Sequence, residues 1–383
     1  MEQPTKTIGF VNKANPFTDR KAWSGTVFKT REAIENAGYR VVWISYKEPM
    51  WAKFCIKVYR KILWLLKHQE VLLNAHCRFL ARQYAKSIDK KALQTCDYLF
   101  FLGEAQISLF QKTEQPIIYY TDATVYNMLE YYWKQVSPRS KRIAMQMEAA
   151  ACQHAAINLR ASDWALRSTI QDGKANPKAT HLLEFGANID PEDIQPGNEY
   201  TGETLNILFS GVDWSRKGGD IAVETTRLLI QQGIDAKLHI VGIRELPAYC
   251  QTLDFIVHAG FLDKNIPLQY KEYIRLIRTC HILLLPTLAE CAGIVFCEAS
   301  AFGLPSYTFD TGGTSNYVIN GINGYALQDA DAHCFARQIR QDLEGGRLPI
   351  LRKQAMELYQ DKLSWEAWSR RFRNIMDEFE AHD

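Results

Sequence analysis

The stretch LLLPTLAECAGIVFCEASAFGLP (283–305) runs from an apolar, strand-like segment into a helix and carries two carboxylates, Glu290 and Glu298, eight residues apart, with Gly293 between them. A cap at the helix start accounts for Glu290 but not for Glu298, a turn or more into an otherwise apolar helix. Glycoside hydrolysis also uses paired acids, but it needs them about 5–9.5 Å apart. Eight helical residues at about 1.5 Å each would separate them by about 12 Å. Two acids aimed at different hydroxyl pairs of one extended ligand fit better, because neutral polyols want bidentate acceptors.

A second segment, FSGVDWSRKGGD (209–220), puts Arg216 and Lys217 in a strand-to-helix loop, with Gly218 and Gly219 opening the helix. Free N–H groups, the positive end of the helix dipole and two full charges make an anion site there. Charge-assisted bonds of about 1.5–3 kcal/mol each would hold a diphosphate. A third, DTGGTSNYVINGINGY (310–325), has Gly312 and Gly313 after a strand, opening a helix. Glycine there lets backbone N–H groups approach a phosphate or a sugar, unless the pair only makes a tight turn. In the first half, Gly25 in DRKAWSGTVFKT (19–30) sits where backbone must come close to a ligand. Asp122 in YYTDATVYNM (119–128) ends a strand and reads equally as a ligand contact or a helix N-cap. Cys291 and Cys297 flank the acidic junction without a nearby His and read as packing residues.

These loops need a scaffold, and the chain supplies one. Apolar runs recur at 7–11, 39–46, 97–103, 116–121, 154–162 and 181–190, each spaced for a helix between. The polar stretch DPEDIQPGNEYTGET (190–204) reads as a linker. The pattern then restarts at 205–211, 237–242, 255–261, 281–286 and 305–310. The fold class is therefore α/β, with two Rossmann-like domains facing a central cleft and ligands at the carboxyl ends of the strands. The expected domains are 1–190, 205–362 and a terminal helix, 363–383, with Trp365 and Trp368 on its apolar side. No G-x-G-x-x-G and no P-loop motif is present.

Composition bounds the class. With 383 residues, 47% hydrophobic and 23% charged, the chain has the make-up of a globular protein of two domains. No run approaches the roughly 18 apolar residues of a membrane span. The start MEQPTKTIGFVN has no basic segment followed by a long apolar one, so no export signal is expected. Nine scattered cysteines without C-x-x-C point to reduced thiols in the cytoplasm and not to a zinc cage. Between Trp51 and Lys91 stand ten Lys/Arg against two acids, interleaved with Trp51, Phe54, Val58, Ile62, Leu65 and Leu66. This reads either as a helix packing its stripe on the core or as a basic amphipathic helix contacting an anionic membrane at its inner face.

The ordered set SRKG, E-x7-E with Gly293, and GG…NG.NGY resembles the GT-B retaining glycosyltransferases of family 4, most strongly over 205–325. The resemblance implies that Glu290 holds hydroxyls of the transferred sugar and Glu298 the ribose of a nucleotide. Arg216 and Lys217 would neutralise the diphosphate leaving group, and Gly293 with the Ile294–Val295 backbone would line it. Gly25 would approach the donor phosphates, and Asp122 the reacting sugar carbon. No protein nucleophile, metal or other cofactor is implied. The donor would be a nucleoside diphosphate sugar, its base meeting HAGFLDKN (258–265), and the acceptor a glycan, glycolipid or small molecule; no nucleic acid is implied. The terminal helix around Trp365 would brace the N-terminal domain. Two positions depart from the family: Val212 stands where it often has Arg, and Asn316 where it has an acid. A sugar-nucleotide epimerase or hydrolase of the same fold and a non-catalytic two-lobed binding protein are the alternatives.

Overall fold

The computed structural model describes residues 5–68, 70, 72, 74–328 and 331–382. The chain divides into two compact units, Met1–Leu183 with Ser369–Asp383, and Glu184–Trp368.

The first unit holds β1 (Thr7–Val11), β2 (Arg40–Ile44), β3 (Tyr98–Leu102), β4 (Ile117–Thr121), β5 (Ile157–Arg160) and β6 (Thr180–Leu182). They form one sheet in the order β2-β1-β3-β4-β5-β6, every pair parallel. Strands β1, β3 and β4 are buried at all five positions. Such strands are covered on both faces, so they read as continuous apolar runs and not as alternation. Around them lie α1 (Thr26–Asn36), α2 (Met50–Lys67), α3 (Arg78–Ser87), α4 (Lys90–Gln94), α5 (Val125–Met128), α6 (Pro138–His154) and α7 (Asp163–Gln171). The stretch 51–91 is thus three helices and not one. The expected stripe on α2 stays in solvent, with Phe54 72% exposed, while the side chain of Leu66 lies outside the described residues.

The second unit holds β7 (Leu205–Ser210), β8 (Ala236–Val241), β9 (Ile256–Gly260), β10 (Ile282–Leu285), β11 (Ser306–Phe309) and β12 (Gly324–Leu327). Its helices are α8 (Gly219–Gln231), α9 (Pro267–Thr279), α10 (Ile294–Ala301), α11 (Ala332–Glu344) and α12 (Leu348–Leu358). The all-parallel order is β12-β11-β10-β7-β8-β9, so consecutive strands run outward from β7 to one side and then from β10 to the other. The reversal between β7 and β10 is the switch point at which α/β sheets bind ligands.

Strand β12 begins within the stretch that the sequence suggests as helical. Gly312 and Gly313 open only a three-residue 3-10 turn, Thr314–Asn316. The Thr314 hydroxyl donates to the Phe309 and Thr311 carbonyls, and Asn323 bonds the backbone at Tyr317 and Ile319. Side chains that satisfy the backbone this way compete with helix.

The final helix, α13 (Trp365–His382), divides between the units. Trp365 and Trp368 are buried in the second unit, where the Trp365 indole donates to Asn188 at 3.1 Å. It is the residues from Ser369 on, and not Trp365, that pack in the first unit. Ser369 donates to the Ala33 carbonyl, Phe372 meets Tyr39 and Phe100, and Glu380 accepts from Tyr98 and pairs with Lys6.

Candidate functional site

The loops after β7 and β10 are drawn together because the two strands are neighbours. Gly218 makes this approach possible. Its φ is 74°, and a Cβ there would stand 2.0 Å from the Pro286 carbonyl oxygen. The Leu288 N–H donates to the Arg216 carbonyl at 2.8 Å, and the Arg216 guanidinium donates to the Ala289 carbonyl at 2.9 Å. The Gly313 N–H reaches the Glu290 carbonyl at 3.1 Å, which brings the loop after β11 to the same place.

Three distant segments therefore converge at the carboxyl edge of one sheet. Lys217 Nζ donates to a Glu290 carboxylate oxygen, and Arg216 stands 3.8 Å from the same oxygen. Lys217 and Glu290 keep only 10% and 13% of their side chains exposed. A half-desolvated pair of this kind interacts more strongly than one in water. It holds both groups in a single place.

Gly293 precedes α10 with φ 90°, and a Cβ there would lie 2.5 Å from the Phe296 ring. Only glycine meets both demands. The helix has no side-chain cap, so the first-turn N–H groups at Ile294 and Val295 follow directly on Gly293. Five residues in, Glu298 is 3% exposed. Its carboxylate accepts from Lys264 Nζ on one oxygen and from the Tyr273 hydroxyl on the other. Burial, then the Glu298 charge, pushes the Tyr273 phenol well above its ordinary value, so it stays a donor.

Lys264 and Tyr273 escaped the sequence reading. Lys264 lies in the stretch 258–265 without a motif of its own, and Tyr273 is one of two tyrosines on α9. Asn316, where the resemblance implies an acid, donates to the buried carboxylate of Glu184 at 3.3 Å, and Lys362 pairs with Glu184 at 2.9 Å. A carboxylate thus stands beside the position that lacks one. Burial raises the Cys297 thiol well above its usual range, as suits a packing residue. All nine cysteines are free.

Gly25 and Asp122 belong to the first unit. Gly25 has φ 95° and leads directly into α1. Trp23 (φ 50°) and Ser24 (φ 56°) precede it, two non-glycine residues in the left-handed region. Such backbone costs about 1–3 kcal/mol per residue and gathers at binding sites. No sequence signal marks it. Asp122 follows β4 half-buried, and α5 is capped by Thr124 through a reciprocal box with Asn127. The N-cap reading of Asp122 is thereby excluded. Among the described residues no group of three or more His, Cys, Asp or Glu could hold a metal ion.

Residues 190–358 match the family model described as Glycosyl transferases group 1. A D-inositol 3-phosphate glycosyltransferase of Streptomyces griseus is 20% identical over 251 residues, covering 54% of this chain and 52% of that protein. The chain spans about half the length of such curated relatives. Among solved structures, a sucrose-phosphate synthase from Thermosynechococcus elongatus superposes with a TM-score of 0.69 at 16% identity, over 99% of this chain and 100% of that one. HepE of Anabaena, solved with UDP, gives a TM-score of 0.62 at 15% identity, over 98% and 100%; it has also been solved with UDP-glucose. At these identities the structures show the shared fold, two Rossmann-like domains of the GT-B kind.

Proposed function

We propose, from the match of residues 190–358 to the group 1 glycosyl transferases, that the chain belongs to that family and moves a sugar from a nucleoside diphosphate sugar to a hydroxyl acceptor in glycan or glycolipid assembly, with retention at the anomeric carbon. The observation that carries this reading is Lys217 and Arg216 gathered on Glu290 at the switch point between β7 and β10.

In this reading the diphosphate lies across Lys217, Arg216 and the N-terminus of α10, where Gly293, Ile294 and Val295 offer backbone N–H groups. As the bond from anomeric carbon to phosphate oxygen breaks, negative charge grows on the leaving diphosphate. The two cations and the helix end stand ready to receive it without rearrangement. Glu290, acceptor-only when ionised, takes hydrogen bonds from sugar hydroxyls, and Glu298 takes those of the ribose. Gly312 and Gly313 bring backbone close to the donor. Gly25 and Asp122 keep the roles that the family resemblance implies, at the donor phosphates and near the reacting carbon. The acceptor hydroxyl attacks from the face that the diphosphate leaves, and its proton departs with the phosphate oxygen.

The test is incubation with anomerically labelled donors, with and without an acceptor pool, followed by NMR of the products. Transfer that needs acceptor and keeps the donor's anomeric configuration supports the reading. Inverted product overturns the retaining assignment. An epimerised or hydrolysed sugar formed without acceptor points to the other activities of this fold.

A further inference from the structure

Nothing in the donor chemistry explains one surface of the first unit. Trp51, Phe54, Val58, Ile62 and Leu65 recur along α2 at spacings of three and four, on one stripe about 80° wide. They are 54%, 72%, 42%, 47% and 58% exposed. Among the described residues of the helix, Ala52 and Ile56, on another side, meet the core. Lys57, Arg60 and Lys61 are exposed along a flank, and the helix sequence contains no acid. A contiguous apolar stripe of this size marks an interaction surface.

Beside it lies a cavity of about 550 Å³, lined by Arg78, Phe79, Arg139, Arg142 and Ile143 among others. Phe79 is 51% exposed and meets the Trp51 ring edge-on at 5.7 Å, so stripe and cavity form one surface. Arg78 donates to Gln146. Arg139 and Arg142 are exposed, and no carboxylate among the described residues pairs with them. An apolar ridge beside unpaired cations and a basket of guanidinium forks is complementary to phosphates set above acyl chains. Trp51, Tyr59 and Trp64, all exposed, carry rings suited to that boundary. No helix among the described residues is long and apolar enough to cross a membrane, so the contact would lie in the plane of the surface.

We propose that α2 and the Arg78–Arg139–Arg142 cavity together dock this protein on the surface of an anionic phospholipid bilayer. The proposal is independent of the transferase reading. The full chain is floated with vesicles of phosphatidylglycerol and phosphatidylcholine in equal parts, and with phosphatidylcholine alone. The expected result is flotation with the mixed vesicles only, with the bound fraction falling about tenfold as salt rises from 0.05 to 0.5 M. The Phe54→Glu/Ile62→Glu variant should lose flotation at least about tenfold, and Arg139→Gln/Arg142→Gln several-fold, with both variants melting like the parent because the changed residues are exposed. Should the glutamate variant misfold, quenching of tryptophan emission by brominated phosphatidylglycerol serves instead, and it should shrink in Trp51→Phe/Trp64→Phe. Absence of flotation at every salt concentration overturns the proposal, as does flotation that the glutamate pair leaves intact. Concentration-dependent self-association without vesicles, abolished by the same pair, would assign the stripe to a second copy and overturn it equally.

Discussion

Arg160 and Lys217 are both buried cations in parallel α/β units, and they are held in opposite ways. Arg160, wholly buried on β5, gives its five N–H donors to Thr169, the Tyr119 and Leu159 carbonyls, Cys152 and Asn158. The Tyr119 ring also lies 4.3 Å beneath its guanidinium. Every donor is spent inside the protein. Lys217, at the sheet edge, has Glu290 as its carboxylate, and both keep a little exposure. Three ammonium donors and one close partner leave capacity for a ligand. A fully satisfied charge fixes a fold, whereas a charge held by one partner at a switch point is available for chemistry.

The largest expected effect breaks the satisfied side. Arg160→Ala strands Asn158, Thr169 and the Tyr119 carbonyl and opens a cavity, which should cost about 3–5 kcal/mol of first-unit stability. Denaturant titration would measure it, and nucleoside diphosphate binding by the folded fraction should be unchanged. Glu290→Ala tests the other side. Transfer should fall about 10²- to 10³-fold, equivalent to about 3–4 kcal/mol in the barrier. Steady-state kinetics with saturating donor reads this directly, and a loss confined to KM would argue against a role at the transition state.

A smaller effect separates burial from function within the second unit. His239 on β8 has Nε2 2.9 Å from Asn206 and a buried Nδ1 without a partner. Burial, followed by the nearby charges of Lys237, His281 and Arg275, lowers its pKa to about 4. The unfolded chain, near the usual value of about 6.5, binds more protons in that window. Stability is thus fully present above about pH 6.5 and is lost as pH falls toward 4. Melting of the parent and of His239→Gln across this range should show the slope flattened in the variant. The smallest effect is expected on α2. Phe54→Ala should shift stability by no more than about 0.5 kcal/mol, as an exposed position would. A loss of 2 kcal/mol or more would mean that the stripe is packed.

The strands were legible because parallel strands buried on both faces read as unbroken apolar runs, as in TIGFV and YLFFL. Strand β12 was not: GYAL is short, begins with glycine and sits among turn residues. Glu290 and Lys217 were legible as residue types on strand-to-helix loops, and Glu298 as an acid inside an apolar helix. Their partners were not, since Lys217 and Glu290 are 73 residues apart and only the adjacency of β7 and β10 joins them. Lys264 and Tyr273 were missed for the same reason. The stripe on α2 was visible as a pattern, but a pattern carries no sign of which face the core covers.

The most direct test of the account is calorimetric titration of the full chain with UDP, GDP and ADP, beside Lys217→Ala. The account predicts that one diphosphate binds and that the variant weakens it about 10- to 100-fold, as loss of a charge-assisted contact of about 1.5–3 kcal/mol requires. Binding of none, or equal binding by the variant, would contradict the assignment of the β7–β10 edge as the donor site.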